Sequence, residues 1–297
     1  MSVYKCYDCN QVLCRDCSRK HGNTEKYSTH LMQLISDSFI LNFKFSLEDD
    51  VYGLQFINDI KCLPDGEVVA AVYNKGKLEL LVFSISGKQR HVIQLDNIPR
   101  KMDVVDKNTV AVLLEKDIVA IIDIQQNHVQ YIRNIAMPYG LGTSFIYIEN
   151  EFYIDEAFGI VVIDMSGSVK RCITLSFKPY DMCYDVKSQH IYCIDSKCGQ
   201  LICIDRDGTN IFTFTAPSMT NLTDLTIDNE GNVLVLCRNE DDNSRYSVIK
   251  VDSNGEKSEV VITNINTSLL DPHICYDHLT NSVVIGLDNK VYIYKKK

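Results

Sequence analysis

Six side chains able to hold a metal fall between residues 6 and 30: Cys6, Cys9, Cys14, Cys17, His21 and His30. Their spacing is C-x2-C-x4-C-x2-C-x3-H-x8-H. Thiolate sulfur and imidazole nitrogen are the donors that a tetrahedral structural zinc prefers. A segment this small cannot enclose a hydrophobic core, so the metal would have to supply its folding free energy. Two distributions of the ligands are open. Four sulfurs could surround one ion, although the four-residue loop between the pairs is short for that. Alternatively, Cys6 and Cys9 could join His21 and His30 in a Cys2His2 site, leaving Cys14 and Cys17 short of two ligands.

The rest of the chain, residues 39–297, is an array of repeats. A hydrophobic–Asp–x–x–Gly pattern recurs with variation at Ser84, Asp123, Asp164, Asp205 and Asp252. A second marker, the start of the preceding strand, falls near Val68, Val110, Phe152, Ile191, Val233 and Val283. Both give a period of about 42 residues. Each unit holds about four strand-length apolar runs rich in Ile, Val, Tyr and Phe, separated by Gly, Asn and Asp turns. No helical period persists. Four strands per repeat predict a β-propeller blade, and 259 residues divide into close to six of them. The last repeat stops at Lys297 one strand short, while Phe39–Leu47 is an extra strand ahead of the first repeat. Phe39, Leu41, Phe43, Phe45 and Leu47 alternate with mostly polar neighbours, so 39–47 is expected to complete the last blade and cover the open edges.

The fold class expected is therefore all-β: a six-bladed propeller (39–297) with an N-terminal strand clasp, preceded by a small zinc-bound finger (1–36). The ligand string, followed by Leu31-Met-Gln-Leu34, resembles the later part of a B-box zinc finger of the tripartite-motif family. The resemblance covers about residues 3–36. It implies a cross-brace in which Cys6, Cys9, His21 and His30 hold one zinc, with Cys14 and Cys17 left from an incomplete second site. The pair that should precede them would lie ahead of Met1. A six-bladed propeller after such a finger resembles the NHL-type propellers of that family in architecture, though the Asn-His-Leu motif itself is absent. The resemblance implies a protein-interaction scaffold that can self-associate through the B-box. A fragment of a RING-type ubiquitin ligase, or an RNA-binding post-transcriptional regulator, is the alternative it offers. Neither a RING nor a coiled coil is present in the sequence, so ligase activity is not expected of this chain alone.

Composition narrows these readings. The net charge is −9, and the first 38 residues carry +1, leaving −10 on the propeller. That balance disfavours binding RNA through bulk charge. Met1–Asn10 lacks an apolar signal core, and no apolar run approaches a membrane span, so a cytoplasmic location is expected. The eight cysteines outside the finger are then expected to be reduced, buried thiols; a Cys193–Cys203 disulfide is the alternative. The loops entering the innermost strands align at Asn58-Asp59, Arg100-Lys101, Tyr139-Gly140, Tyr180-Asp181, Thr223-Asp224 and Pro272-His273. Such loops collect at one mouth of the channel, and binding residues concentrate there. Arg100, Tyr139, Tyr180, Asp181, Asp224 and His273 are the expected contacts for a protein partner. An enzymatic alternative has Asp59, Asp181 and Asp224 converging on a divalent cation, as in lactonase-like propellers. No nucleophile elbow or phosphate-cradling loop accompanies them, so no catalytic residue and no small-molecule substrate are expected.

The ligand count carries a prediction. One complete Cys2His2 set should retain about one zinc per chain after dialysis. Elemental analysis measures this, and a zinc-free protein with an ordered N-terminus would contradict it.

Overall fold

The computed structural model describes residues 3–6, 11–14, 32–34, 38–47, 56–74, 77–116, 118–133, 135, 142–215, 221–239, 242–267 and 272–297. Cys9, Cys17, His21, His30 and Tyr139 lie outside these. Three short strands, β1 (Val3–Cys6), β2 (Gln11–Cys14) and β3 (Met32–Leu34), form a small sheet in the order β2-β1-β3. Cys6 pairs with Gln11 at the closed end of the β1–β2 hairpin, and Cys14 pairs with Val3 at its open end. The two cysteine backbones are thus three registers apart, about 10 Å along the strand.

The remaining strands form six four-stranded antiparallel sheets. Blade 1 holds β5 (Phe56–Cys62), β6 (Val68–Asn74), β7 (Lys77–Phe83) and β8 (Gln89–Gln94). Blade 2 holds β9 (Pro99–Val104), β10 (Thr109–Leu114), β11 (Ile118–Asp123) and β12 (His128–Ile132). Blade 3 holds β13 (Phe145–Ile148), β14 (Glu151–Glu156), β15 (Gly159–Asp164) and β16 (Val169–Thr174). Blade 4 holds β17 (Met182–Asp185), β18 (His190–Asp195), β19 (Gln200–Ile204) and β20 (Asn210–Phe214). Blade 5 holds β21 (Leu222–Ile227), β22 (Val233–Asn239), β23 (Asp242–Val251) and β24 (Ser258–Asn266). Blade 6 takes β25 (His273–Asp277), β26 (Ser282–Leu287) and β27 (Lys290–Lys296), and β4 (Phe39–Ser46) is its fourth strand. The first strand of each blade neighbours the first strand of the next, around to β25 beside β5.

Because side chains alternate across a strand, each central strand feeds two interfaces. Buried apolar residues accordingly form six clusters, one between each pair of adjacent blades. This alternation rules out the Cys193–Cys203 disulfide. Cys193 pairs with Ile202 and Cys203 with Tyr192, so the two thiols point to opposite faces. Cys193 packs toward blade 3 and Cys203 toward blade 5. All eight propeller cysteines are free, and Cys172 and Cys198 are exposed rather than buried.

The repeating Asp/Ser–x–x–Gly signature is the turn between the third and fourth strands. At blade 1, Gly87 donates its amide to Ser84 O at 2.8 Å with φ +80°. A Cβ at Gly87 would lie 2.8 Å from the Phe45 ring on β4. The missing side chain therefore lets the clasp strand pack on blade 1.

The clasp forms as expected, with one difference. β4 runs antiparallel to β27, from Lys290↔Ser46 to Lys296↔Phe39. The register slips once: Tyr294 pairs with Leu41 but Ile293 with Phe43, leaving Asn42 as a bulge. The bulge changes faces in mid-strand. Phe39 and Leu41 enter the core with blade 5, while Phe45 and Leu47 enter the core with blade 1. Phe43 is 39% exposed. One strand thereby seals both interfaces of the last blade. Deleting residues 1–38 should leave a cooperatively folded propeller, whereas deletion through Leu47 should lower the melting temperature sharply or cause aggregation. Equal melting of the two truncations would contradict the clasp.

Candidate functional site

Each innermost strand projects alternate residues into the axial channel. The second residue of each aligned loop pair forms its first ring: Asp59, Lys101, Asp181, Asp224 and His273. In blade 3 the position belongs to Ser144. Asp155 N donates to Ser144 O at 3.2 Å, as Ile194 N donates to Asp181 O at 2.9 Å in blade 4. Asp155 sets this segment by accepting the amides of Thr143 and Ser144, the latter at 2.5 Å, while Lys178 Nζ lies 3.2 Å from its other oxygen.

Lys101 fills the centre of the ring. Its Nζ lies 3.1 Å from Asp181 Oδ2, 3.3 Å from Asp224 Oδ2 and 3.8 Å from Asp59 Oδ1. Burial works against its charge, but Asp181, Asp224 and Asp59 outweigh it and hold the ammonium well above the ordinary lysine value. The carboxylates divide by their partners. Asp224 Oδ1 accepts Leu225 N at 2.8 Å, and its Oδ2 accepts Ile274 N at 3.3 Å and meets His273 Nδ1 at 2.9 Å. Against the cost of burial, Lys101 and the side-chain hydrogen bonds with His273 and Asp181 hold Asp224 well below the usual carboxylate range. Asp181 accepts Lys101 Nζ at 3.1 Å and Ser144 Oγ at 3.2 Å. Burial pushes the Asp181 carboxyl well above the usual carboxylate range, with Lys101 opposing the shift and the charge of Asp224 adding to it.

The same aspartates tie blade to blade. Asp59 accepts its neighbour's amide, Ile60 N, at 2.9 Å and Met102 N of blade 2 at 2.7 Å. Asp224 does so between blades 5 and 6. Two residues along β9, Asp103 accepts Val104 N at 2.9 Å and Tyr147 N of blade 3 at 2.8 Å. Lys61 is a second cation of the channel, half-buried. Burial opposes its charge, but Asp59 and Asp103 raise it above the ordinary lysine value.

One donor atom each from Asp59, Asp224 and His273 lies within 4.8 Å of the others. The acidic convergence expected for a divalent cation is thus present in geometry, but Lys101 Nζ stands among the carboxylates. The donor set fits an internal ammonium and does not fit a cation site that would place two positive charges on the same oxygens.

The network divides the channel into two mouths. The near mouth, where the aligned loops collect, holds a cavity of about 530 Å³. Arg100, Tyr180 and His273 line it. Tyr180 is 41% exposed, and Arg100 Nη2 pairs with Glu115 Oε1 at 3.2 Å. Asp181 and Asp224 are buried below this surface and offer a macromolecule nothing to touch. The far mouth, built from the turns between first and second strands, holds a cavity of about 500 Å³. Tyr147 and Tyr184 line it, and Val186 and Leu279, 77% and 64% exposed, stand at its rim. These residues were not singled out by the sequence, because an apolar residue in a polar turn carries no spacing signal.

No family model matches the chain, and no curated protein does. Among solved structures, it is similar to a structural genomics protein of unknown function from Bacteroides thetaiotaomicron, with a TM-score of 0.67 over 90% of this chain and 81% of the other. At 12% identity that likeness shows the six-bladed propeller fold and nothing finer.

The Lys101 network predicts a pH-dependent loss. Lys101→Met leaves buried carboxylates without their ammonium and should cost about 3–5 kcal/mol at pH 7. Those carboxylates then bind protons more tightly folded than unfolded, so the deficit relative to wild type should shrink as pH falls toward 5. Urea unfolding at both pH values measures it; a deficit under about 0.5 kcal/mol at pH 7, the range of an ordinary surface substitution, would contradict the assignment.

Proposed function

We propose that this chain is a non-enzymatic, zinc-binding interaction scaffold of the tripartite-motif type, whose propeller recruits a protein partner at the far mouth. The observation that carries the partner reading is the pair of exposed apolar residues, Val186 and Leu279, rimming a cavity lined by Tyr147 and Tyr184. Exposed apolar groups beside a concave surface are the chemistry of a protein contact, and tyrosine is enriched among residues that dominate binding energy. The plugged channel supports a surface role over catalysis, because the titratable groups of the first ring are engaged with one another. The acidic propeller likewise favours a protein over a nucleic acid.

Zinc belongs to the proposal through Cys6, Cys9, His21 and His30. Its support is the ligand spacing, together with the register that sets Cys6 and Cys14 at opposite ends of one hairpin. Sulfurs bound to one ion come from backbones closer than that, so the two cysteine pairs are assigned to separate ions. Such a finger would order the N-terminus and could support self-association.

The near mouth is the second reading, favoured by the exposed Tyr180 beside Arg100 and His273. Affinity capture separates the two. Val186→Ser with Leu279→Ser should remove most partner recovery while leaving the melting temperature near wild type, since exposed substitutions cost little. Arg100→Ala with Tyr180→Ala should retain it. The opposite pattern assigns the partner to the near mouth, and unchanged recovery from both variants would contradict a channel-mouth contact.

A further inference from the structure

The ring closes where blade 6 meets blade 1, and two thiols meet there. Cys62 ends β5 and Cys275 lies on β25, the innermost strands of the first and last blades. Their Sγ atoms are 3.3 Å apart across 213 residues of sequence. Cys275 is buried and Cys62 half-buried, and both line the far-mouth cavity of about 500 Å³. Around them the seam is tightly made. Ile57 N donates to Asp288 O at 3.0 Å, and a Cβ on Gly286 would lie 2.9 Å from Ile57 Cγ2. The backbones of the two blades are therefore held at fixed separation, and the thiols cannot easily part.

We propose that Cys62 and Cys275 form a peroxide-responsive redox site whose disulfide covalently staples the last blade to the first. The proposal rests on the seam geometry and not on the partner reading. Cys62 is the accessible member and reacts first. Its thiolate attacks hydrogen peroxide, the O–O bond breaks, and a sulfenic acid and hydroxide result. Cys275 sulfur then attacks the sulfenic sulfur, the S–O bond breaks, and the oxygen leaves as water with the Cys275 proton. Overall, two thiols and one peroxide give one disulfide and two waters, with two electrons passing from sulfur to oxygen. Sulfur–sulfur separation must contract from 3.3 Å to about 2.05 Å. Burial, and the adjoining Cys62 thiol, push Cys275 well above the ordinary thiol range. Cys275 therefore serves as the resolving sulfur and not as the peroxide-reactive one.

A cross-link over so long a stretch of chain constrains the unfolded state strongly. It would reinforce, at the innermost strands, the seam that β4 closes at the outermost position. The remaining propeller thiols serve as internal controls. Cys172 and Cys198 are exposed, and Cys183 lies in the same cavity on β17, two blades away from Cys275.

The test treats the folded full-length protein with hydrogen peroxide, blocks free thiols, and maps peptides by mass spectrometry without reduction. The expected product is a linked peptide pair containing Cys62 and Cys275. Its formation should raise the melting temperature by several degrees, and a reductant should reverse both changes. Cys62→Ser, a near-isosteric change at the half-buried member, should abolish both the linked pair and the rise. Peroxide that modifies only Cys172, Cys198 or Cys183 overturns the proposal. So does a linked pair that forms only after denaturation, or one that forms without raising the melting temperature.

Discussion

Six sheets arranged around an axis leave a channel between their innermost strands. Here it is filled by charge. Lys101 from blade 2 reaches Asp59, Asp181 and Asp224 of blades 1, 4 and 5, while Ser144 and His273 bring in blades 3 and 6. Desolvating these groups costs several kcal/mol per ion, and that cost is offset only if every partner is in place. The network is thus weak evidence of stability but strong evidence of specification. It can be satisfied only when all six innermost strands are correctly positioned, because Asp59 and Asp224 also accept a backbone amide from the next blade.

The second constraint is closure. An open ring would expose unpaired strand edges, and the propeller avoids this by taking its first strand, β4, into the last blade. The Asn42 bulge lets β4 serve both neighbouring interfaces, and the Gly87 turn makes room for Phe45. At the innermost end of the same seam, the contact of Cys62 and Cys275 gives closure a chemical handle. Pairing in the outer strands and thiol contact in the inner ones act on one junction, the one that separates a ring from an open array.

The architecture was legible because it is periodic. The Asp/Ser–x–x–Gly turns recur with the blades, and the run from Phe39 to Leu47 lacks a partner in its own repeat, which marks it as a clasp. The face change at Asn42 was not legible: Phe39 through Leu47 alternate without interruption, and only the pairing with β27 shows the slip. The channel was half visible. Aligning Asp59, Lys101, Asp181, Asp224 and His273 located the ring, but reading these positions as open loops hid that the second residue of each pair turns inward. Ser144 escaped because the blade 3 loop is longer, which shifted the alignment to Tyr139-Gly140. Lys101 had no distinguishing signal, since a lone lysine beside an arginine reads as solvated charge. Val186 and Leu279 depend on tertiary placement alone.

The axis of the propeller is a structural plug in which an internal ammonium, and not a bound cation, organises the acidic ring. Heteronuclear NMR of the Lys101 side chain, followed through a pH titration of the folded protein, tests this directly. The account predicts that Lys101 remains protonated above the ordinary lysine value of 10.5, with ammonium protons protected from solvent exchange. Titration at or below that value would contradict it.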